Sequence, residues 1–70
     1  MIRTPQDLAR LVRARRYELG LSQEALAHAT GLDRTVLSVL ERGERAMSLK
    51  VALRLAETLG MDIVIRRRAQ

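Results

Sequence analysis

The stretch from residue 23 to residue 42 reads QEALAHATGLDRTVLSVLER, and its spacing decides the fold. Two short helices meet there across one tight break. In the first, Gln23 and Glu24 open the helix and Leu26 and Ala27 take its inward positions, with the helix running to Ala29. Thr30-Gly31 is the break, and Gly31 stands where the chain turns left-handed, a conformation that glycine adopts without a Cβ penalty. Asp33 caps the second helix, which runs to Arg42 with Leu37 and Leu40 facing inward. Ala27 precedes Gly31 by four residues and lies where the helices cross, so a larger side chain there pushes them apart. Leu32, Leu37 and Leu40 pack the second helix onto the first and onto the helix before it. Gly43 ends the unit.

The flanks are helical too. Thr4-Pro5-Gln6-Asp7 is a helix start: Thr4 caps, Pro5 suits the first position, and Asp7 follows the cap by three. Leu8, Leu11, Val12 and Leu19 follow as a stripe, and Gly20 stops this first helix. Ser22 caps the next. Ser48 caps the last, where Leu49, Ala52, Leu53, Leu55, Ala56 and Leu59 make a wide apolar face before Gly60. The period then changes. Met61, Ile63 and Ile65 alternate with Asp62, Val64 and Arg66, which predicts a short strand. Arg66–Arg68 form a basic tail. The expected organisation is a helical domain over 1–60 and a strand with tail over 61–70. A lone strand needs a partner for its ladder groups, and a second copy of the chain supplies one as an antiparallel ribbon over 61–67 in a homodimer. The alternatives are a fifth helix or a disordered tail.

Composition narrows the function. The chain has 70 residues, no cysteine and one histidine, so no disulfide or thiolate zinc site is available and no metal is expected. A domain this small, without staples, often completes its core by dimerising. Lys and Arg number 13 against 8 Asp and Glu, a net charge of +5. Lys50 is the only lysine. Fixed cations in excess suit a polyanion, although charge alone also fits simple solubility. Single-strand readers stack bases on aromatic rings. One tyrosine offers no such platform, which favours duplex DNA. The apolar runs are too short to span a membrane, MIRTPQDLAR lacks a signal-peptide core, and a cytoplasmic location is expected. His28, on an outer helix face, reads as a surface residue. Without a glycine-rich phosphate loop or room for a cleft, no enzyme activity and no cofactor are expected.

The segment over 23–42 resembles the helix-turn-helix of the lambda-repressor/Cro/XRE family. The resemblance rests on Leu21-Ser22-Gln23, Ala27, Gly31, Leu37, Leu40 and Glu41-Arg42-Gly43 at the family spacing, and it covers about residues 8–60. It implies a mainly α, lambda-repressor-like DNA-binding domain whose second motif helix enters the major groove of an operator. The outward residues Arg34, Thr35, Ser38 and Val39 would then meet bases: Arg34 can bond guanine bidentately, Thr35 can bond a base or touch a thymine methyl, and Val39 can touch a methyl or sugar. Val36 and Val39 also fit as surface valines or core fillers, and Asp33 is assigned to capping. Gln23, with Ser22 beside it, would hold phosphate at the start of the first motif helix, and Arg42 and Arg45 would hold the other strand. Ser22 serves first as a cap, and any single arginine also reads as a solvated charge. Arg16 and Glu41 occupy positions where the family often carries a partly buried ion pair, and are read as structural.

The flanks TPQDLA and LGMDIVI resemble the HipB-type antitoxins, which implies an autorepressor that pairs through a C-terminal strand and binds a HipA-like kinase-fold toxin. Three functions are therefore open. They are a repressor and antitoxin in one chain, a free-standing regulator of the XRE family without a toxin, and a protein-interaction module without DNA binding.

Overall fold

The structure, a computed structural model, describes residues 1–69. Helix α1 spans Pro5–Glu18, α2 Gln23–Thr30, α3 Arg34–Glu41 and α4 Leu49–Thr58. Each starts at a side-chain cap. The Thr4 hydroxyl accepts from the Asp7 N–H at 3.1 Å while the Asp7 carboxylate accepts from the Thr4 N–H at 3.1 Å, closing a capping box. Ser22, Asp33 and Ser48 accept from the N–H groups of Ala25, Thr35 and Val51. Between α2 and α3, Gly31 has φ +71°, the left-handed turn that the break required.

Val12, Leu26, Ala27, Leu37, Leu55 and Leu59 form the core. Leu26, Leu37, Leu55 and Leu59 have no exposed surface, so each contributes about 1.5–3 kcal/mol of burial. The core thus joins all of α1 to α4, and it fixes α3 with one face inward and the other free.

The apolar stripes are wider than the core. Leu11 and Leu19 are 43% and 44% exposed, and Leu49 and Leu53 are 62% and 49% exposed. On α1 the inward line runs Leu8, Val12, Arg16, with Ala9 beside it. Arg16 takes the slot a leucine would fill because it meets a buried carboxylate, and Leu19 lies beyond the helix as its C-cap. On α4 the inward ridge is Ala52, Leu55, Ala56 and Leu59, which leaves Leu49 and Leu53 on the outer side.

The expected strand is absent among the described residues. Met61 closes the end of α4, donating its N–H to the Ala56 carbonyl at 2.8 Å, and its side chain packs on the core. Asp62, Ile63, Val64, Ile65 and Arg66 are exposed and irregular. Residues 1–69 hold no second strand, so the alternating pattern has nothing to pair with and gives no ladder. Instead Met61 and Ile63 line an apolar hollow of about 500 Å³ with Ile2, Leu8, Leu11 and Ala56. The expected tail ends at Gln70, outside the described residues. No helix is long and apolar enough to cross a membrane, and no cluster of metal-ligating side chains occurs among the described residues.

Candidate nucleic-acid interface

The free face of α3 is set by an anchor beneath it. Arg16 donates from Nε to Glu41 Oε2 at 2.8 Å and from Nη2 to Oε1 at 2.9 Å, a parallel fork that ties α1 to the end of α3. The two side chains are 7% and 1% exposed. Arg16 also donates from Nη1 to the Leu21 carbonyl at 2.9 Å, and its guanidinium lies 4.5 Å from the Tyr17 ring centroid. The hydrogen bonds from Glu41 raise the Arg16 pKa above its ordinary value, against the effect of desolvation.

Gln23 joins the anchor, donating from Nε2 to Glu41 Oε1 at 3.1 Å. It is half-buried, and its amide keeps one free N–H donor. Gln23, Arg34, Thr35, Ser38 and Arg42 together line a polar hollow of about 220 Å³. Arg34 and Thr35 are exposed at the start of α3, and Ser38 is half-buried one turn on. Val36 and Val39 are half-buried, and neither borders the hollow. Ser22 is exposed, with its hydroxyl oxygen engaged in the cap. Arg45 is exposed in the segment after Gly43. Of the residues singled out for DNA, five therefore converge on one hollow, while Ser22, Val39 and Arg45 lie outside it.

Arg42 is not a free cation. It donates from Nε and Nη2 to the two carboxylate oxygens of Glu44 at 2.9 and 3.1 Å, and from Nη1 to Ser38 Oγ at 2.6 Å. Each partner stabilises the other's charge, raising the Arg42 pKa and lowering that of Glu44. The sequence reading did not include Glu44 or the tie between Gln23 and Glu41. The signal for the first was present in Arg42-Gly43-Glu44: a left-handed glycine (φ +71°) between opposite charges folds the chain back and brings them together. Gln6 was missed as well. Its Nε2 donates to the Gly43 carbonyl at 3.0 Å and holds the same turn from α1.

Comparison with known proteins gives the family and supports the fold. Residues 5–65 match the family described as Helix-turn-helix. An uncharacterized HTH-type transcriptional regulator of Methanothermobacter thermautotrophicus is 44% identical over 52 residues, 74% of this chain and 75% of the relative. Among solved structures, the restriction-modification controller protein C.AhdI from Aeromonas hydrophila superposes with a TM-score of 0.78 at 40% identity, covering 83% of this chain and 88% of its own. With a helix pair at the family spacing, a glycine turn between them and a match along nearly the whole length, the chain belongs to the XRE-type helix-turn-helix family.

Proposed function

We propose that this protein is a transcriptional repressor that binds duplex DNA as a homodimer, with α3 in the major groove of a two-fold-symmetric operator. The observation that carries the reading is the polar hollow along the free side of α3, where Arg34, Thr35 and Ser38 stand beside Gln23 and Arg42. Side chains early in the second motif helix reach base edges, and donors at the start of the first reach phosphate. Arg34 and Thr35 are assigned to bases, with Ser38 and Val39 behind them. Ser22, Gln23, Arg42 and Arg45 are assigned to phosphates. Two recognition helices of a dimer would lie about 34–36 Å apart, one turn of DNA. The dimer is supported by exposed Leu49, Leu53 and Ile63 on a small domain.

The free-standing regulator is favoured over the antitoxin. The toxin partner rests on short flanking resemblances alone, and neither relative is named as an antitoxin. The relatives are named as a transcriptional regulator and a controller protein. Selection of duplexes from a random pool, followed by titration of the enriched duplex and a scrambled one, tests the function. Enrichment of a two-fold-symmetric site supports it, and equal binding to both duplexes overturns sequence-specific repression.

A further inference from the structure

The pairing of Arg42 with Glu44 puts a carboxylate on the face assigned to a polyanion. Both side chains are half-exposed, at 51% and 54%. An exposed pair contributes little to stability, so folding gives no strong reason for it. Its effect on charge is direct. A guanidinium has five N–H donors in a fixed fork. Glu44 takes two of them and Ser38 takes a third, which leaves Arg42 one free N–H on each terminal nitrogen. Arg42 is thereby oriented from two sides, by α3 and by the turn after it, and its charge is cancelled locally. The turn itself is fixed, because the Glu44 N–H donates to the Val39 carbonyl at 3.3 Å and Gln6 holds Gly43.

We infer that Glu44 is a specificity-determining residue of the DNA-binding face. Its carboxylate removes one cation from sequence-independent phosphate attraction while leaving Arg42 as an oriented donor. Non-specific affinity comes from cations that displace counterions from the phosphates; base contacts discriminate, and an oriented donor bonds its phosphate only in the register that those contacts set. Neutralising Arg42 lowers the first and keeps the second, which widens the gap between operator and other DNA.

The inference rests on the DNA-binding reading above, and one set of titrations separates the two. Wild type, E44Q, E44D and the double variant R42A/E44Q are titrated against the selected duplex and a scrambled duplex at several salt concentrations. E44Q is expected to bind the scrambled duplex about three- to tenfold more tightly near about 50 mM salt, with a log–log salt slope steeper by about 0.9. The selected duplex gains less, so the ratio between them falls. E44D keeps the charge and the wild-type slope, and R42A/E44Q loses the gain. An unchanged slope in E44Q, an equal gain on both duplexes, or a gain that persists without Arg42 overturns the role of Glu44. Failure of the wild type to bind either duplex overturns the DNA-binding reading itself, and this inference with it.

Discussion

Gln6 Cα lies 3.2 Å from the position a Cβ on Gly43 would occupy, and Gln6 Cγ lies 3.0 Å from it. The same Gln6 donates to the Gly43 carbonyl. The start of α1 is thus seated on the turn that follows α3, and the turn favours glycine for two reasons at once: the contact, and a φ of +71°.

Gly31 separates those reasons. It has the same φ of +71°, but nothing stands within 4 Å of an added Cβ. Gly31→Ala should therefore cost only the left-handed backbone strain, about 1 kcal/mol. Gly43→Ala should cost more, because a backbone atom of Gln6 must also move. Urea midpoints rank the two. Equal losses would show that the approach of Gln6 carries no weight.

Arg16→Ala should lower stability by about 3–5 kcal/mol, because Glu41 is left buried with Gln23 as its remaining side-chain partner. Replacing both members, as R16M/E41L, should restore most of it, since a buried ion pair and an apolar pair of similar volume are often equivalent. Chemical denaturation measures both. A variant of wild-type stability that only binds DNA less well would contradict the structural role.

What was legible in the sequence was local. Thr4, Ser22, Asp33 and Ser48 each cap the helix they precede, because a cap needs only a short polar side chain and the N–H groups two or three residues on. Leu26, Leu37 and Leu55 are buried as their spacing required. What was not legible depended on neighbours far along the chain. The sequence offers Gln23 only to phosphate, because nothing in its own helix announces Glu41, 18 residues away. Leu49 and Leu53 fit the apolar period of α4 but lie on its outer side, and periodicity alone does not give the width of a core. The residues over 61–66 alternate like a strand, but alternation describes a face and not the partner that completes it.

The homodimer has its own measurement. Sedimentation should give a dimer mass at micromolar concentration. Leu53→Ser, on the outer side of α4, should shift the mass toward monomer with little loss of helicity. A monomer in the wild type overturns the homodimer, and an unchanged dimer in the variant removes the outer side of α4 from the interface.

Acid should weaken the start of α1. The Arg3 N–H, ahead of the Thr4 donors and the Arg10 charge, holds the Asp7 carboxyl below its usual range. A carboxyl whose pKa is lower folded than unfolded stabilises the fold above the unfolded value, about 3.9, and loses that contribution as pH falls through the folded one. Stability should therefore drop with acid below about pH 4, and Asp7→Asn should flatten this part of the profile. Thermal unfolding of both proteins across that range decides it. Parallel curves would remove Asp7 as the source.

Arg34 and Arg45 should fail differently. Arg34 is the first residue of α3, exposed and bordering the hollow, while Arg45 is exposed in the segment beyond Gly43. On the proposed docking, the start of α3 would enter the groove and Arg34 would reach base edges. The segment after the helix would lie over the sugar–phosphate backbone. A bidentate base contact discriminates by about 1–3 kcal/mol, and a phosphate contact adds affinity without preference. Arg34→Ala should narrow the gap between the selected and the scrambled duplex by that amount. Arg45→Ala should weaken both by a similar factor and flatten the salt slope by about one unit. The two variants are compared on both duplexes across a salt series. If Arg34→Ala lowers both affinities equally, the reading face of α3 is not the one that carries Arg34, and the search moves one turn along the helix to Ser38.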